Sequence, residues 1–199
     1  MGTKGCLALL LGLLVVVCGS CETDEAYSTA GEEGVPAVTS RSGGLYTRFN
    51  IHYCLRGNDA AASYANWTQC GGNFIPYNSQ VRVRSRRNGF ILTDVNSGMQ
   101  IVFEYHAGRM RMSQNDYRDL IFSPTPVSYD DLNEIDREGI KAGRAMVGMT
   151  KQGVMVALGY PARNETPSID MNTWTFWKTR YTKLRVEFDD NGKVVSIIQ

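Results

Sequence analysis

The chain has 199 residues, which is enough for one large domain or two small ones. Its 21 Lys and Arg residues nearly balance 20 Asp and Glu residues, so no overall field draws the protein to nucleic acid or to an anionic surface. With 43% hydrophobic residues and 20 glycines, the composition is that of a folded chain with many turns, and it excludes an intrinsically disordered protein.

The N-terminal segment has the layout of a secretory signal. Lys4 supplies a positive charge, residues 7–17 are apolar, and small residues follow. The apolar run is too short to span a bilayer, which takes about 20 residues, and the chain turns acidic directly after Cys21. We therefore expect residues 1–20 to be a cleaved signal peptide and the protein to leave the cytoplasm.

The residues before Cys21 resemble the lipobox at which bacteria attach lipid to a new N-terminal cysteine. Small residues precede Cys21, although Cys18 stands where that motif usually has an aliphatic residue. Lipidation of Cys21 is the prediction, and plain cleavage is the alternative. Acyl chains contribute about 0.8 kcal/mol per buried CH₂, so several chains would anchor the protein without spanning the membrane.

Residues 21–44 predict a flexible tether, because they contain almost no large apolar residue that could join a core. Beyond the tether, Cys54 and Cys70 remain as a pair. An oxidising compartment would let them bond, and closing a loop of about 15 residues would contribute about 3 kcal/mol. Two unpaired thiols that act as small hydrophobic residues are the alternative.

Residues 45–122 predict a β-rich domain, either a β-meander or a small barrel or sandwich. Apolar residues recur with period two, and turn signals separate the runs. Asn88 and Gly89 form a hairpin signal between two predicted strands. Residues 113–122 predict a short helix.

Four arginines lie in this domain, and they alternate with valine along one predicted strand. The residues are Arg82, Arg84, Arg86 and Arg87. Such a cluster is compatible with binding nucleic acid or a lipid headgroup, but the solvent-facing side of a half-buried strand requires the same alternation. We expect a solvated face and no nucleic-acid partner.

Two prolines in residues 123–126 predict a rigid break, after which a second domain follows at 128–199. Ser128 and Asp131 have the spacing of a capping box at the start of a helix that runs to about Ala142. Thr150 predicts the N-cap of a second helix, which Gly159 ends.

Three strands are predicted after these helices, which gives the second domain the order α-α-β-β-β. Trp174 and Phe176 should face the core by alternation, whereas Trp177 lies on the opposite face and is a candidate interface residue. Asn191 and Gly192 predict the closing hairpin. The predicted fold class is α+β, with the β-rich part first.

The motifs of this second part together resemble the BamE/SmpA/OmlA domain of outer-membrane assembly lipoproteins. They comprise a Gly-Met-Thr helix start at 148–150, a Leu-Gly-Tyr-Pro helix stop at 158–161, an aromatic strand at 174–177 and a closing hairpin at 186–194. The resemblance covers about residues 130–199. One departure is Gly153, where that pattern usually has Glu, at a cost of about 0.5 to 1 kcal/mol in helix propensity.

The resemblance implies a non-catalytic accessory lipoprotein that binds other envelope or outer-membrane proteins. It also implies a lipid-anchored location in the cell envelope, at the outer membrane facing the periplasm. No cofactor or metal is expected. Because the fold alone does not fix the partner, the implied function is that of a binding module.

The sequence gives little sign of catalysis. His52 and His106 are the only histidines, each lies on a predicted strand, and neither belongs to an HxH, HExxH or Cys/His pattern. A structural role is expected for both. The alternative is a periplasmic ligand-binding protein or hydrolase whose site lies around His52, His106 and the arginines, which requires one concave pocket to join them.

Overall fold

The computed structural model describes residues 44–68 and 71–199, and within them the fold is mixed α+β with strands predominating. The strands are β1 (Leu45–Thr47), β2 (Ile51–His52), β3 (Cys54–Arg56), β4 (Asp59–Ser63), β5 (Phe74–Ile75), β6 (Gln80–Arg86), β7 (Gly89–Asp94), β8 (Gln100–Glu104), β9 (Phe122–Ser123), β10 (Thr173–Trp177), β11 (Lys183–Phe188) and β12 (Val194–Ile198). The helices are α1 (Ala107–Met110), α2 (Gln114–Ile121), α3 (Glu134–Ala142) and α4 (Lys151–Leu158).

A seven-stranded sheet forms in the order β3-β4-β8-β7-β6-β1-β9. Strands β6, β7 and β8 are a meander, and the predicted turn at Asn88 and Gly89 joins the first two. Only glycine fits at position 89, because a Cβ there would lie 2.0 Å from the carbonyl oxygen of Phe103. The meander does not extend through the whole sheet, because β4 inserts beside β8 and runs parallel to it.

One face of this sheet carries a hydrophobic cluster, against which α2 packs. Phe103 and Tyr117 are in ring contact at 6.0 Å, and Tyr105 stacks on Tyr117 at 4.7 Å. The helix begins where the sequence predicted, with Ser113 as N-cap in a capping box with Asp116. The opposite face of β6 is solvated as expected, with Arg82, Arg84 and Arg86 exposed.

The first helix after residue 128 begins later than predicted. Ser128 is not its N-cap, because its hydroxyl donates to Asp130 instead. The capping box consists of Asn133 and Asp136, and the helix α3 ends at Ala142, as expected. Two similar Ser/Asn-x-x-Asp signals lie five residues apart in this segment, and only the second is followed by helical backbone.

The helix α4 begins at its predicted N-cap, Thr150, and packs against α3 through a buried carboxylate. Asp136 is fully buried and accepts from the backbone N–H of Thr150 at 2.7 Å and from its hydroxyl at 3.0 Å. A Cβ at Gly153 would lie 2.0 Å from Asp136 Oδ1. Glycine at this position therefore allows the approach of α3, which the propensity argument did not anticipate.

A second sheet has the order β10-β11-β12 and packs its apolar side against α4. Trp174 and Phe176 are buried as predicted, and both belong to a hydrophobic cluster that includes Leu158 and Val186. The segment 189–192 forms the predicted turn into β12, with Gly192 at φ 72°.

The C-terminal end of α4 is closed by residues from the first strands. The last four carbonyls of a helix have no partner within it. Here Gly159 N–H donates to Met155 O at 2.8 Å and Asn50 N–H to Val156 O at 2.9 Å. The next two carbonyls, those of residues 157 and 158, accept from His52 Nε2 at 3.0 Å and from Asn66 Nδ2 at 2.6 Å.

We call the residues Asn50, His52 and Asn66 the polar seam. All three are buried. They connect the N-terminal segment to α4 through the bonds above and to α3 through Asn50, whose Nδ2 donates to Ile140 O at 2.8 Å. Among the described residues, the two hydrophobic clusters belong to one compact unit. The boundary at 123–126 stays a prediction.

Because His52 is buried in the polar seam, we expect the stability of the folded protein to depend on the charge of its imidazole. Burial lowers the pKa of His52 below 6.5, although its hydrogen bond to Ala157 opposes part of that shift. In the unfolded chain the imidazole titrates near 6.5 and binds its proton more readily. The contribution of the neutral His52 side chain to stability is therefore complete above pH 6.5. It is lost as the pH falls from 6.5 toward the pKa of His52 in the folded protein.

We expect the unfolding free energy to fall by up to about 1.4 kcal/mol as the pH is lowered from 7.5 to 5.5, because His52 binds its proton more readily in the unfolded chain. Urea denaturation at both pH values measures the loss, and His52→Gln should reduce it. His106→Gln is the control, because that imidazole is exposed. An equal loss in wild type and His52→Gln would contradict the assignment.

The disulfide prediction is tested only at one end. Cys54 is disulfide-bonded. The other cysteines, among them Cys70, lie outside the described residues, so the pairing of Cys54 with Cys70 stays a prediction.

Candidate functional site

The two histidines proposed for a catalytic alternative lie in different surroundings. His52 is 2% exposed and belongs to the polar seam. Its Nε2 carries the proton donated to Ala157 O, so Nδ1 is a buried acceptor, and it has no hydrogen-bond partner among the described residues. His106 is exposed, and its side chain caps α1 rather than lying on a strand. The structure does not bring the two imidazoles together in a pocket.

His106 instead lines a cleft at the end of the seven-stranded sheet, beside the last residue of β10. We call it the Trp177 cleft, and its volume is about 540 Å³. Its lining residues are Ser63, Tyr64, Ala65, Trp67, Glu104, Tyr105, His106, Arg109, Trp177 and Arg180. The candidate interface residue Trp177 and the candidate catalytic residue His106 therefore face one cleft.

The indole of Trp177 is held from one side by a cation. Trp177 pairs with Lys183 across the β10–β11 ladder, and the Lys183 ammonium lies 4.8 Å from the ring centroid. Lys183 is itself fixed by an ion pair of 2.8 Å with Glu165. The carbonyl of Trp177 also accepts from the backbone N–H of Thr68 at 3.3 Å. These contacts orient the half-buried ring before any ligand binds.

A second positioned group is the guanidinium of Arg109. Its Nη1 donates to the Tyr64 hydroxyl at 2.8 Å, and the Tyr64 ring lies 6.2 Å from the imidazole of His106. His106 Nδ1 accepts from the backbone N–H of Arg109 at 3.3 Å. In the neutral imidazole the proton is then on Nε2, which makes this nitrogen a donor.

The charges of the cleft favour an anion over a cation. The lining contains two guanidiniums, those of Arg109 and Arg180, and one carboxylate, that of Glu104. The phenol of Tyr105 is not a further anion, because burial raises its pKa to about 12, with a further increase from Asp116. With a neutral imidazole, the lining carries one uncompensated positive charge.

The cleft contains no arrangement that activates a nucleophile among its described residues. Ser63 Oγ accepts from the backbone N–H of Ala65 at 3.2 Å and is not bonded to His106. Nucleophilic catalysis needs a hydroxyl or thiol within hydrogen-bond reach of a base. No group of three or more His, Cys, Asp or Glu in the described ranges could hold a metal ion. The geometry can perform recognition through aromatic faces and cationic donors.

Two other concave surfaces are less suited to recognition. A larger cleft of about 800 Å³ lies along α4, but Arg48 and Lys151 in its wall donate to the backbone carbonyls of Phe122 and Asp170. A depression of about 290 Å³ contains Arg82 and Arg84 on the open face of the sheet. It contains neither histidine, so the predicted constellation of histidines and arginines does not form there.

Most of the cleft was not predicted from the sequence. Tyr64, Trp67, Arg109 and Arg180 come from segments that are up to 116 residues apart, counted from Tyr64 to Arg180. No motif links them. The only local signal was the alternation that placed Trp177 away from the core, and the structure gives that residue an intermediate burial.

The predicted anchor lies outside the described residues. Cys21, the signal peptide and the tether up to residue 43 are not described by the structure. Within the described ranges, none of the helices is both long and apolar enough to cross a membrane.

The Trp177 cleft is interpreted from its own geometry. Comparison with family models, with curated proteins and with solved structures gives no match to this chain.

Proposed function

We propose that the protein is an exported, lipid-anchored, non-catalytic binding module of the cell envelope, which engages a partner protein at the Trp177 cleft. Outer-membrane protein assembly or envelope maintenance is the process in which we place it. The single observation that carries the binding role is the convergence of Tyr64, Trp67, Trp177, Arg109 and Arg180 on one solvent-accessible cleft.

The composition of the cleft supports this role. Tyrosine, tryptophan and arginine are the residues most enriched among those that dominate binding energy at protein interfaces. Aromatic side chains supply large contact areas at a low cost in conformational entropy. Trp177 is already oriented by Lys183, so little of that cost remains to be met on binding.

The element order supports the finer proposal, a β-rich part followed by an α-α-β-β-β part of the BamE/SmpA/OmlA type. Thr150 caps α4, Gly159 follows its last residue, and β10 to β12 form an antiparallel sheet. These are the features that the resemblance implies for residues 130–199. The lipid anchor at Cys21 and the envelope location rest on the N-terminal sequence.

Crosslinking in cells tests the binding role. We expect wild-type protein to crosslink to an envelope protein, and Trp177→Ala to lower the yield at least fivefold, because truncation of a central aromatic residue typically costs more than about 1 kcal/mol of binding energy. Tyr181→Ala is the matched control, since this aromatic is 86% exposed and does not line the cleft. Equal yields from Trp177→Ala and wild type would refute the proposed site.

A further arm of that experiment uses Cys21→Ser and intact-mass measurement of membrane-extracted protein. A diacyl or triacyl mass that is lost in the variant, together with loss of the crosslink, supports an anchored module. A soluble and unlipidated product from both forms would remove the anchor from the proposal.

The ligand-binding or hydrolase alternative retains one favourable observation, the presence of His106 in the Trp177 cleft. It predicts turnover of an ester or amide substrate that His106→Gln abolishes. A binding module shows no turnover in either form.

A further inference from the structure

We propose that the Trp177 cleft recognises a single carboxylate carried next to a flat aromatic group. This inference rests on the proposed function, because it names the chemistry that the same cleft would select. The carboxylate has two sources, an acidic side chain within a partner polypeptide or a small free aromatic acid.

Two guanidiniums are available to such a carboxylate. Arg109 uses Nη1 to bind the Tyr64 hydroxyl, which leaves its other N–H groups for a ligand and fixes the plane of the guanidinium. Arg180 is exposed and forms no hydrogen bond or ion pair with the residues at 44–68 and 71–199. Arginine binds carboxylates through two parallel hydrogen bonds, which are stronger than neutral ones.

The imidazole of His106 supplies a further donor. Its Nδ1 is occupied by the backbone N–H of Arg109, so the neutral ring donates from Nε2. The donors of the cleft are therefore cationic or neutral N–H groups. The carboxylate of Glu104 is the anionic member of the lining.

Glu104 limits the charge of the ligand. Two guanidiniums against one carboxylate leave one positive charge, which a monoanion neutralises. A phosphate monoester would bring a charge of about −1.5 to −2 close to Glu104 and would be left partly uncompensated. The lining thus favours a carboxylate over a doubly charged phosphate.

Aromatic walls define the second half of the ligand. Trp67, Trp177 and Tyr64 all line the cleft, and Lys183 lies over one side of the Trp177 indole. Aromatic pairs prefer offset-stacked or edge-to-face packing, which adds specificity for a planar ring. A volume of about 540 Å³ lies within the usual range for sites that enclose a small ligand.

Titration calorimetry with defined probes tests the inference on the protein without its signal peptide. The probes are end-blocked pentapeptides with the central sequences Phe-Glu-Phe, Phe-Gln-Phe and Ala-Glu-Ala, and free phenylacetate. We expect Phe-Glu-Phe to bind at least tenfold more tightly than either of the other peptides. Phenylacetate binding as tightly as Phe-Glu-Phe would assign the carboxylate to a small acid, and weaker binding would assign it to a polypeptide.

Variants locate the interaction. Arg109→Gln and Arg180→Gln should each weaken Phe-Glu-Phe binding about five- to tenfold without altering Phe-Gln-Phe binding. Lys141→Gln is the charge-matched control, because this exposed lysine lies on α3 and does not line the cleft. Tyr64→Phe should weaken Phe-Glu-Phe binding less than either arginine substitution, because it removes only the hydroxyl that holds Arg109 in position.

Two results would overturn the inference in distinguishable ways. Equal affinity for Phe-Glu-Phe and Phe-Gln-Phe, with both lost in Trp177→Ala, would retain the cleft as a binding site and refute its carboxylate selectivity. Absence of binding by every probe would refute the selectivity for an aromatic carboxylate, whereas the crosslinking experiment decides separately whether the cleft binds a partner.

Discussion

Asn66→Ala should destabilise the protein by about 3 to 4 kcal/mol, the largest effect expected of a single substitution here. The amide of Asn66 accepts from the backbone N–H of His52 at 2.8 Å and donates to the carbonyls of Asn50 and Leu158 at 3.0 and 2.6 Å. The side chain is buried, so its removal leaves one backbone N–H and two backbone carbonyls without a hydrogen-bond partner, at a position that water does not reach. Urea denaturation at pH 7.5 measures the loss.

Two further variants separate the causes of this effect. Asn66 has a positive φ of 45°, which alanine adopts at a cost of about 1 kcal/mol. Asn66→Gly removes the side chain without that cost and should therefore lose slightly less stability than Asn66→Ala. Asn115→Ala is the control on the exposed surface of α2. A loss below about 1 kcal/mol for both Asn66 variants, in the range of an ordinary surface substitution, would contradict the role of the polar seam.

Gly153→Ala should destabilise the protein by about 2 to 3 kcal/mol, although alanine favours a helix over glycine by up to about 1 kcal/mol. The added Cβ would lie 2.0 Å from Asp136 Oδ1 and 2.4 Å from its Cγ, so the carboxylate must move. Moving it breaks the bonds that Asp136 accepts from Thr150 and Asn133. Thermal and urea unfolding both measure the result.

A double-mutant cycle identifies the clash as the cause. In an Asp136→Ala background, the cost of Gly153→Ala should fall by at least about 1 kcal/mol, because the two positions are in direct contact. Gln152→Ala, at the neighbouring exposed position, should change stability by no more than about 0.5 kcal/mol. A stabilised Gly153→Ala protein would show that helix propensity outweighs the contact.

Elements with local signals were predictable from the sequence. Ser113 and Thr150 cap their helices because a hydroxyl accepts a backbone N–H three residues ahead, which depends only on neighbouring residues. The turns at Asn88 and Gly192 likewise follow from residues that tolerate positive φ. Ser128 failed as a cap because its hydroxyl binds Asp130, and spacing alone does not distinguish such an alternative partner.

Pairings between distant segments were not predictable. The parallel contact between β4 and β8 joins Ala61 to Val102, and no turn signal encodes it. Three of the five residues of β4 are alanine, which is not typical of strands. The Trp177 cleft is likewise a product of this topology, because β8 carries Glu104 to the end of β4, where Ser63 pairs with it.

The polar seam also makes the C-terminal end of α4 dependent on contacts between residues that are far apart in the sequence. The bond between His52 and Ala157 spans 105 residues, and that between Asn66 and Leu158 spans 92. Contacts of such sequence separation form late, because the entropy of closing the intervening chain is lost before they stabilise anything. We therefore expect the C-terminal end of α4 to be completed only after these long stretches of chain have closed, and not by local helix signals alone.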